Sequence, residues 1–393
     1  MKEIVGKKEK KVEYIELIYD LIFVYIIGRN NLLMHNLTDG FVDGWTFFNY
    51  LLCTLAVIQM WTLTTYYINL YGRNGVRDHV MMFVNMFLLY FIGEGTRTDW
   101  QEYHTQYHAA WALILINIAL QYVIELRQHR NEPEHRKRIF RMSTMIFGEA
   151  ALVIGAIFEF IAFKTSYLSA VAVVASIVCI SLSGRKNSFS FVDFSHLSER
   201  AMLYVVFTFG EMIIAVASYF DGKFSLSSLY FSAMAFLIAT GLFLSYGVFY
   251  DRLIDREKQT NGMGYMILHI FIIFALNNVT TALEFMRNEE VDLLAKILFI
   301  TLSLILYYAC LLLTGFYAKS RCAPKKALLL VLGGGASAFA AGMVLLRTQM
   351  YLNILWTTVF VFAVFLLFYR FAKKAEKNGC NEKANLQHYT EEA

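Results

Sequence analysis

The chain has 393 residues, of which 58% are hydrophobic and 17% charged, with a formal net charge of +4. Water-soluble domains carry nearer 25% charged residues, so this composition points to a membrane protein whose main partner is the lipid bilayer. The small positive excess gives no basis for nucleic-acid binding. The five cysteines (53, 179, 310, 322 and 380) include no CxxC pair and suggest neither a disulfide nor a metal site.

In chain order, apolar runs predict twelve helices, at about 13–28, 45–70, 80–96, 107–125, 140–161, 165–182, 201–220, 225–249, 262–284, 291–316, 327–346 and 351–371. The fold class is therefore all-α and polytopic. Of the 35 Lys and Arg, 28 fall on one side of this alternation and 7 on the other. The positive-inside rule then puts both termini in the cytoplasm. The Lys-rich start (Lys2, Lys7, Lys8, Lys10, Lys11) runs into the first helix without a small-residue cleavage site, so no cleaved signal is expected.

Corresponding helices of 13–182 and 201–371 start roughly 175–190 residues apart, which suggests a six-plus-six parallel repeat. In that reading residues 1–12 form a basic N-terminus, 183–200 a cytoplasmic linker and 372–393 a polar tail. The eleventh helix carries Gly333-Gly334-Gly335, Ala338 and Gly342, a spacing that predicts close helix packing.

Acids inside the apolar runs are the candidate chemistry. Glu16 and Asp20 in the first helix share one face. Phe-Gly-Glu occurs twice, ending at Glu149 in the fifth helix and Glu211 in the seventh. Glu211 lies about ten residues, hence ~15 Å, past Ala201, near the bilayer centre. A carboxylate there costs about 2.5–3.5 kcal/mol on insertion scales, so it requires a partner, a proton or water. Gly148 and Gly210 read as packing positions that let a neighbouring helix or water approach each Glu.

Two readings follow for Asp20, Glu149 and Glu211: struts that fix helix register, or a proton relay, which three costly groups together favour. At the cytoplasmic end of the seventh helix, Glu199 would favour the helix dipole while Arg200 snorkels to headgroups. Alternatively Arg200 pairs with Glu16 or Asp20 as a gate. His104 and His108, near Glu94, Asp99 and Glu102, read as interfacial decoration rather than a divalent-metal site. No phosphate-cradling loop, serine elbow or HExxH is present, and no cofactor is expected.

Glu16-Leu-Ile-Tyr-Asp-Leu-Ile-Phe-Val24 resembles the opening signature of the bacterial low temperature requirement protein A (LtrA) family. His196-Leu-Ser-Glu-Arg200, with Gly210-Glu211 in the following helix, is similar to that family's second signature. Two departures stand out: Ala201-Met202 replaces the usual small, Gly-containing step, and Met212 stands where Ser often follows the Glu. The resemblance implies a bacterial inner-membrane protein linked by name to growth in the cold. It marks Glu16, Asp20, His196, Glu199, Arg200, Gly210 and Glu211 as positions to test.

The leading expectation is a proton-coupled transporter or ion pathway for an unknown small solute or ion. Asp20, Glu149 and Glu211 would titrate, and Glu16, His196, Glu199 and Arg200 would gate the cytoplasmic side. The alternatives are a membrane-embedded enzyme acting on lipid headgroups and a non-transporting stress or assembly factor. Oligomerisation is compatible with each.

Overall fold

The structure, a computed structural model, describes residues 10–94, 100–183, 192–217, 225–320 and 326–391. Lys2, Lys7, Lys8, Asp99 and linker residues 184–191 lie outside the described residues. Among the described residues the regular structure comprises twelve α-helices, two two-residue strands, two short 3-10 helices (Asn31–His35 and Gly315–Tyr317) and a π-helical turn (Val248–Leu253). The helices are α1 (Tyr14–Asn30), α2 (Gly44–Tyr71), α3 (Val76–Glu94), α4 (Trp100–Gln128), α5 (Pro133–Phe163) and α6 (Tyr167–Ser183). They continue as α7 (Phe194–Ala217), α8 (Leu226–Gly247), α9 (Met263–Phe285), α10 (Leu293–Thr314), α11 (Lys326–Leu345) and α12 (Met350–Glu391). Eleven are long and apolar enough to cross a membrane, and α6 contributes a shorter apolar segment. The protein is all-α and polytopic, as hydropathy predicts.

Three starts and one end differ from the hydropathy reading, each for a local reason. Helix α7 begins at Phe194, not 201, because the Asp193 carboxylate accepts from the His196 amide at 3.1 Å and caps the helix. The polar run before Ala201 is therefore the first two turns of a helix. Helix α5 starts at Pro133, a residue whose fixed φ and missing N–H suit the first helical position. Helix α4 starts at Trp100, seven residues before the apolar run. Helix α12 continues through the polar tail, which is rich in the helix formers Ala, Lys and Glu.

The chain divides into two compact units. The first holds α1 to α6, α7 up to Phe207 and α9 up to Phe274. Helix α2 is its axis: 89% of the apolar window of α2 is buried, with α1, α4 and α6 packed on it. A polar ladder crosses this unit. Asn117 of α4 donates to Asn85 of α3 at 2.7 Å, and Asn85 donates to the Tyr19 hydroxyl of α1 at 3.2 Å. That hydroxyl meets Thr64 of α2 at 3.1 Å. Such side chains satisfy one another where lipid and apolar neighbours cannot.

The second unit holds the rest of α7 and α9 with α8 and α10 to α12. The Tyr307 hydroxyl of α10 donates to the Leu242 carbonyl of α8 at 2.8 Å, and Gly241 of α8 lets Val361 of α12 approach closely. In α11 only part of the small-residue row packs. Gly342 meets the Trp356 indole, whereas a Cβ on Gly333, Gly334 or Gly335 would meet nothing within 4 Å among the described residues. Those three glycines correct the expectation of close packing along the whole row.

Both ends of α2 are pinned by charge. At its start the Asp43 carboxylate accepts from the Trp45 and Thr46 amides at 2.9 and 3.1 Å and from the Thr46 hydroxyl. These bonds hold the exposed carboxyl below its ordinary pKa, the Thr46 hydroxyl contributing most. At its end the Lys10 ammonium donates to the carbonyls of Ile68 and Gly72, at the negative pole of the helix. Burial lowers the Lys10 pKa against the opposing pull of Glu16. Asp43→Ala should cost about 1 kcal/mol near neutral pH, as lost caps do. Because the folded pKa is depressed, this contribution is present above the ordinary carboxylate pKa and is lost as pH falls through the folded value. Melting curves in detergent at pH 7 and pH 3 check it: the variant's deficit should shrink in acid.

Candidate functional site

The signatures at the two ends of the first unit's sequence meet in space. Helix α1 projects Glu16 and Asp20 from one face, and α7 projects His196 and Arg200, also four residues apart, toward them. Asp20 and Arg200 each lie six residues inside the N-terminal end of their helix, a rise of ~9 Å.

Arg200 is fully buried, and its guanidinium grips both acids. Nε donates to Asp20 Oδ2 at 3.0 Å while Nη2 donates to Oδ1, a bidentate pair. Nη1 donates to Glu16 Oε2. The other oxygen of Glu16 accepts from the Glu13 amide at 3.3 Å, so one carboxylate serves both the helix start and the ion pair. Trp61 of α2 completes the Asp20 shell by donating its indole N–H to Oδ1 at 2.7 Å. Its ring also lies 6.0 Å from the guanidinium carbon, the outer reach of a cation–π contact.

His196 is buried beside this pair. The Asn69 amide nitrogen sits 3.0 Å from Nδ1, and Nε2 lies 3.3 Å from Glu16 Oε2. An amide donor at Nδ1 makes Nε2 the ring nitrogen that carries a proton, facing the carboxylate. Asn69 also ties down the α7 cap, donating to the Asp193 carbonyl at 2.8 Å and accepting from the Asp193 amide at 3.1 Å. Two carboxylates therefore face one guanidinium, with the imidazole at their edge.

The other predicted residues are placed differently. Glu149 of α5 is buried and accepts from the Gln59 amide of α2 at 3.0 Å. Gln59 and Trp61 are two residues apart, about 200° around a helix, so Glu149 and Asp20 are held from opposite sides of α2. Glu211 belongs to the second unit and is half-buried, with no side-chain partner among the described residues. Glu199 is half-buried and does not join Arg200 in its contacts with Glu16 and Asp20. A Cβ on Gly148 or Gly210 would meet nothing within 4 Å among the described residues, so neither glycine is a close-packing contact here.

His104 and His108 are not interfacial. Both are buried, with ring centroids 3.8 Å apart, and their Nε2 atoms pair with the hydroxyls of Ser166 and Ser169 at 2.6 and 2.7 Å. They fasten α4 to the start of α6. Because α4 begins at Trp100, both rings fall on its inward face.

Two further groups escaped the sequence reading. Glu125, buried at the end of α4, pairs with Arg77 at 2.5 Å and lies 3.8 Å from Arg73. His129 and Glu132, between α4 and α5, and His135, in the first turn of α5, bring three ligand-type atoms within 4.8 Å of one another. Arg127, Arg130, Arg136 and Arg138 surround that connection in sequence, a local charge that opposes a dication.

The fold and this interior charge cluster define an all-α, multi-pass membrane protein with ion pairs built into its core. The chain belongs to the bacterial low temperature requirement A protein (LtrA) family, whose model matches residues 11–367. No curated protein and no solved structure matches it.

Removing one partner from a buried ion pair leaves an uncompensated charge and costs about 3–5 kcal/mol. Arg200→Ala should therefore lower the unfolding midpoint sharply, and Arg200→Lys should restore little, because an ammonium cannot span both acids in the bidentate geometry. Asp20→Asn, which leaves Arg200 paired with Glu16, should cost less than Arg200→Ala. Thermal unfolding of purified protein in one detergent ranks the three.

Proposed function

We propose that this LtrA-family protein is a proton-coupled transporter or ion pathway of the bacterial inner membrane. Glu16, Asp20, His196 and Arg200 form its cytoplasmic gate, and Glu149 and Glu211 are its deeper titrating sites. One observation carries the reading: the first unit buries two carboxylates against a single guanidinium, with an imidazole at hand. Two acids against one permanent cation leave room in the set for one proton. Protonating either acid removes a bond from Arg200 and frees the guanidinium to move. That change of pairing is a local event able to bias a two-state gate.

The lipid-enzyme reading is less well supported, because Arg200 fills the space between Glu16 and Asp20 that a metal or phosphate would need. The carried solute is a small molecule or ion. The family's name connects the activity with growth in the cold.

Reconstituted in proteoliposomes with an internal pH dye, wild-type protein should pass protons down an imposed pH gradient. Asp20→Asn and Glu149→Gln should each slow this by tenfold or more while retaining a monodisperse, folded profile. Wild-type flux in both variants would remove the coupling role. Loss of folding in both, with no selective loss of flux, would support struts instead.

A further inference from the structure

Helices α5 and α6 enclose a groove of about 750 Å³ in the first unit, within the range of small-molecule sites. One stripe of α5 lines it: Lys137, Arg141, Met145, Gly148 and Leu152 follow one another at steps of three or four residues. Helix α6 contributes Ala172, Ala175 and Cys179 at the same spacing. Small side chains make the room, and a Cβ on Gly148 would meet nothing within 4 Å among the described residues.

Polarity is graded along the groove. Lys137 and Arg141 stand at the end where α5 leaves its connection to α4. Lys137 is exposed and Arg141 half-buried, and neither side chain joins an ion pair or hydrogen bond among the described residues. Arg127, Arg130, Arg136 and Arg138 flank the same connection, so the positive-inside rule puts this end at the cytoplasmic surface. Thr144, three residues past Arg141, adds a hydroxyl to the lining. Beyond it the wall is apolar except at Glu149 and Ser176. Those two side chains are buried with their oxygens covered, Glu149 being held by Gln59 and Ser176, so neither presents charge to the groove.

The depth is informative too. Arg141 to Leu152 is a rise of ~16 Å, and half of a ~30 Å hydrocarbon core is ~15 Å. The apolar part of the groove therefore matches one leaflet.

We propose that this groove seats one anionic phospholipid of the cytoplasmic leaflet. Its phosphate lies between Lys137 and Arg141, and its glycerol esters lie at the level of Thr144. One acyl chain runs along Met145, Gly148 and Leu152 against Ala172 and Ala175. Two cations without counter-ions, at the mouth of an apolar groove one leaflet deep, complement this molecule in both charge and length. A zwitterionic lipid fits less well, because its ammonium returns positive charge to the basic end. A fatty acid offers Thr144 no ester to meet. Snorkelling of Lys and Arg to bulk headgroups would give attraction without a seat for a chain, and hence no saturation. The site is independent of the titrating role proposed for Glu149.

The test uses the full chain in an uncharged detergent and equilibrium binding of radiolabelled phosphatidylglycerol. Unlabelled phosphatidylglycerol, phosphatidylcholine, oleate and glycerol phosphate compete. Binding should saturate at one lipid per chain, with phosphatidylglycerol competing about tenfold better than phosphatidylcholine or oleate, and glycerol phosphate not at all. A basic residue beside an anionic headgroup is worth about fivefold in affinity, so Lys137→Gln combined with Arg141→Gln should lose ~25-fold. That double variant should also lose the preference over phosphatidylcholine. Gly148→Leu, which fills the groove and keeps both cations, should lose about fivefold or more, by the same scale of a few contacts. No saturation, equal competition by phosphatidylcholine or oleate, displacement by glycerol phosphate, or wild-type affinity in either variant overturns the proposal.

Discussion

Arg200 is the constraint around which the first unit is arranged. A guanidinium cannot be deprotonated in a protein, so once it is buried its counter-charges must come to it. They come from α1, whose Glu16 and Asp20 sit one turn apart at the spacing needed to bracket one fork. The orienting groups follow in turn. Trp61 holds Asp20 from α2, and His196 and Asn69 bracket Glu16 and the start of α7. Lys10 adds a strut from the segment before α1: its amide donates to Asp193 at 3.1 Å while its ammonium closes the end of α2. Three helix ends and one buried cation are therefore satisfied by a single connected set of groups. A partly satisfied set would cost more than an apolar core of the same shape.

Much of this fold is legible in the sequence because a bilayer restricts what a chain can do. Backbone groups must be satisfied within each span, so apolar length alone marks the helices, and the bias of Lys and Arg orders them. Hydropathy fails where polarity is paid for internally. Before Ala201, His196, Ser198 and Arg200 read as a loop, yet all three are buried in α7. Each polar group there has a partner on another helix or on its own backbone, and a single-residue scale has no way to register partners. The same blindness hides Glu125, whose cation, Arg77, comes from the first turn of α3.

Glycine shows a second limit. Gly148 and Gly210 each precede a buried or half-buried Glu, and sequence alone reads both as places where a neighbouring helix or water approaches. In the structure neither has a neighbour where a side chain would stand, and Gly148 opens onto a groove. A small residue makes room, but what enters that room depends on the neighbouring helix. In α11 the same ambiguity resolves within one row, tight at Gly342 and open at Gly333 to Gly335.

Helix α2 supplies the last step. It donates the Trp61 N–H to Asp20 on one side and the Gln59 amide to Glu149 on the other, from positions ~3 Å apart along its axis. Two acids that look like members of one relay are thus separate sites sharing one supporting turn. Their environments differ in kind. Asp20 is answered by a permanent cation, whereas Glu149 has only neutral groups, Gln59 and Ser176, beside it. By burial alone the two acids look alike, but by partners they differ: Asp20 is held by a charge on another helix, and Glu149 by neutral dipoles.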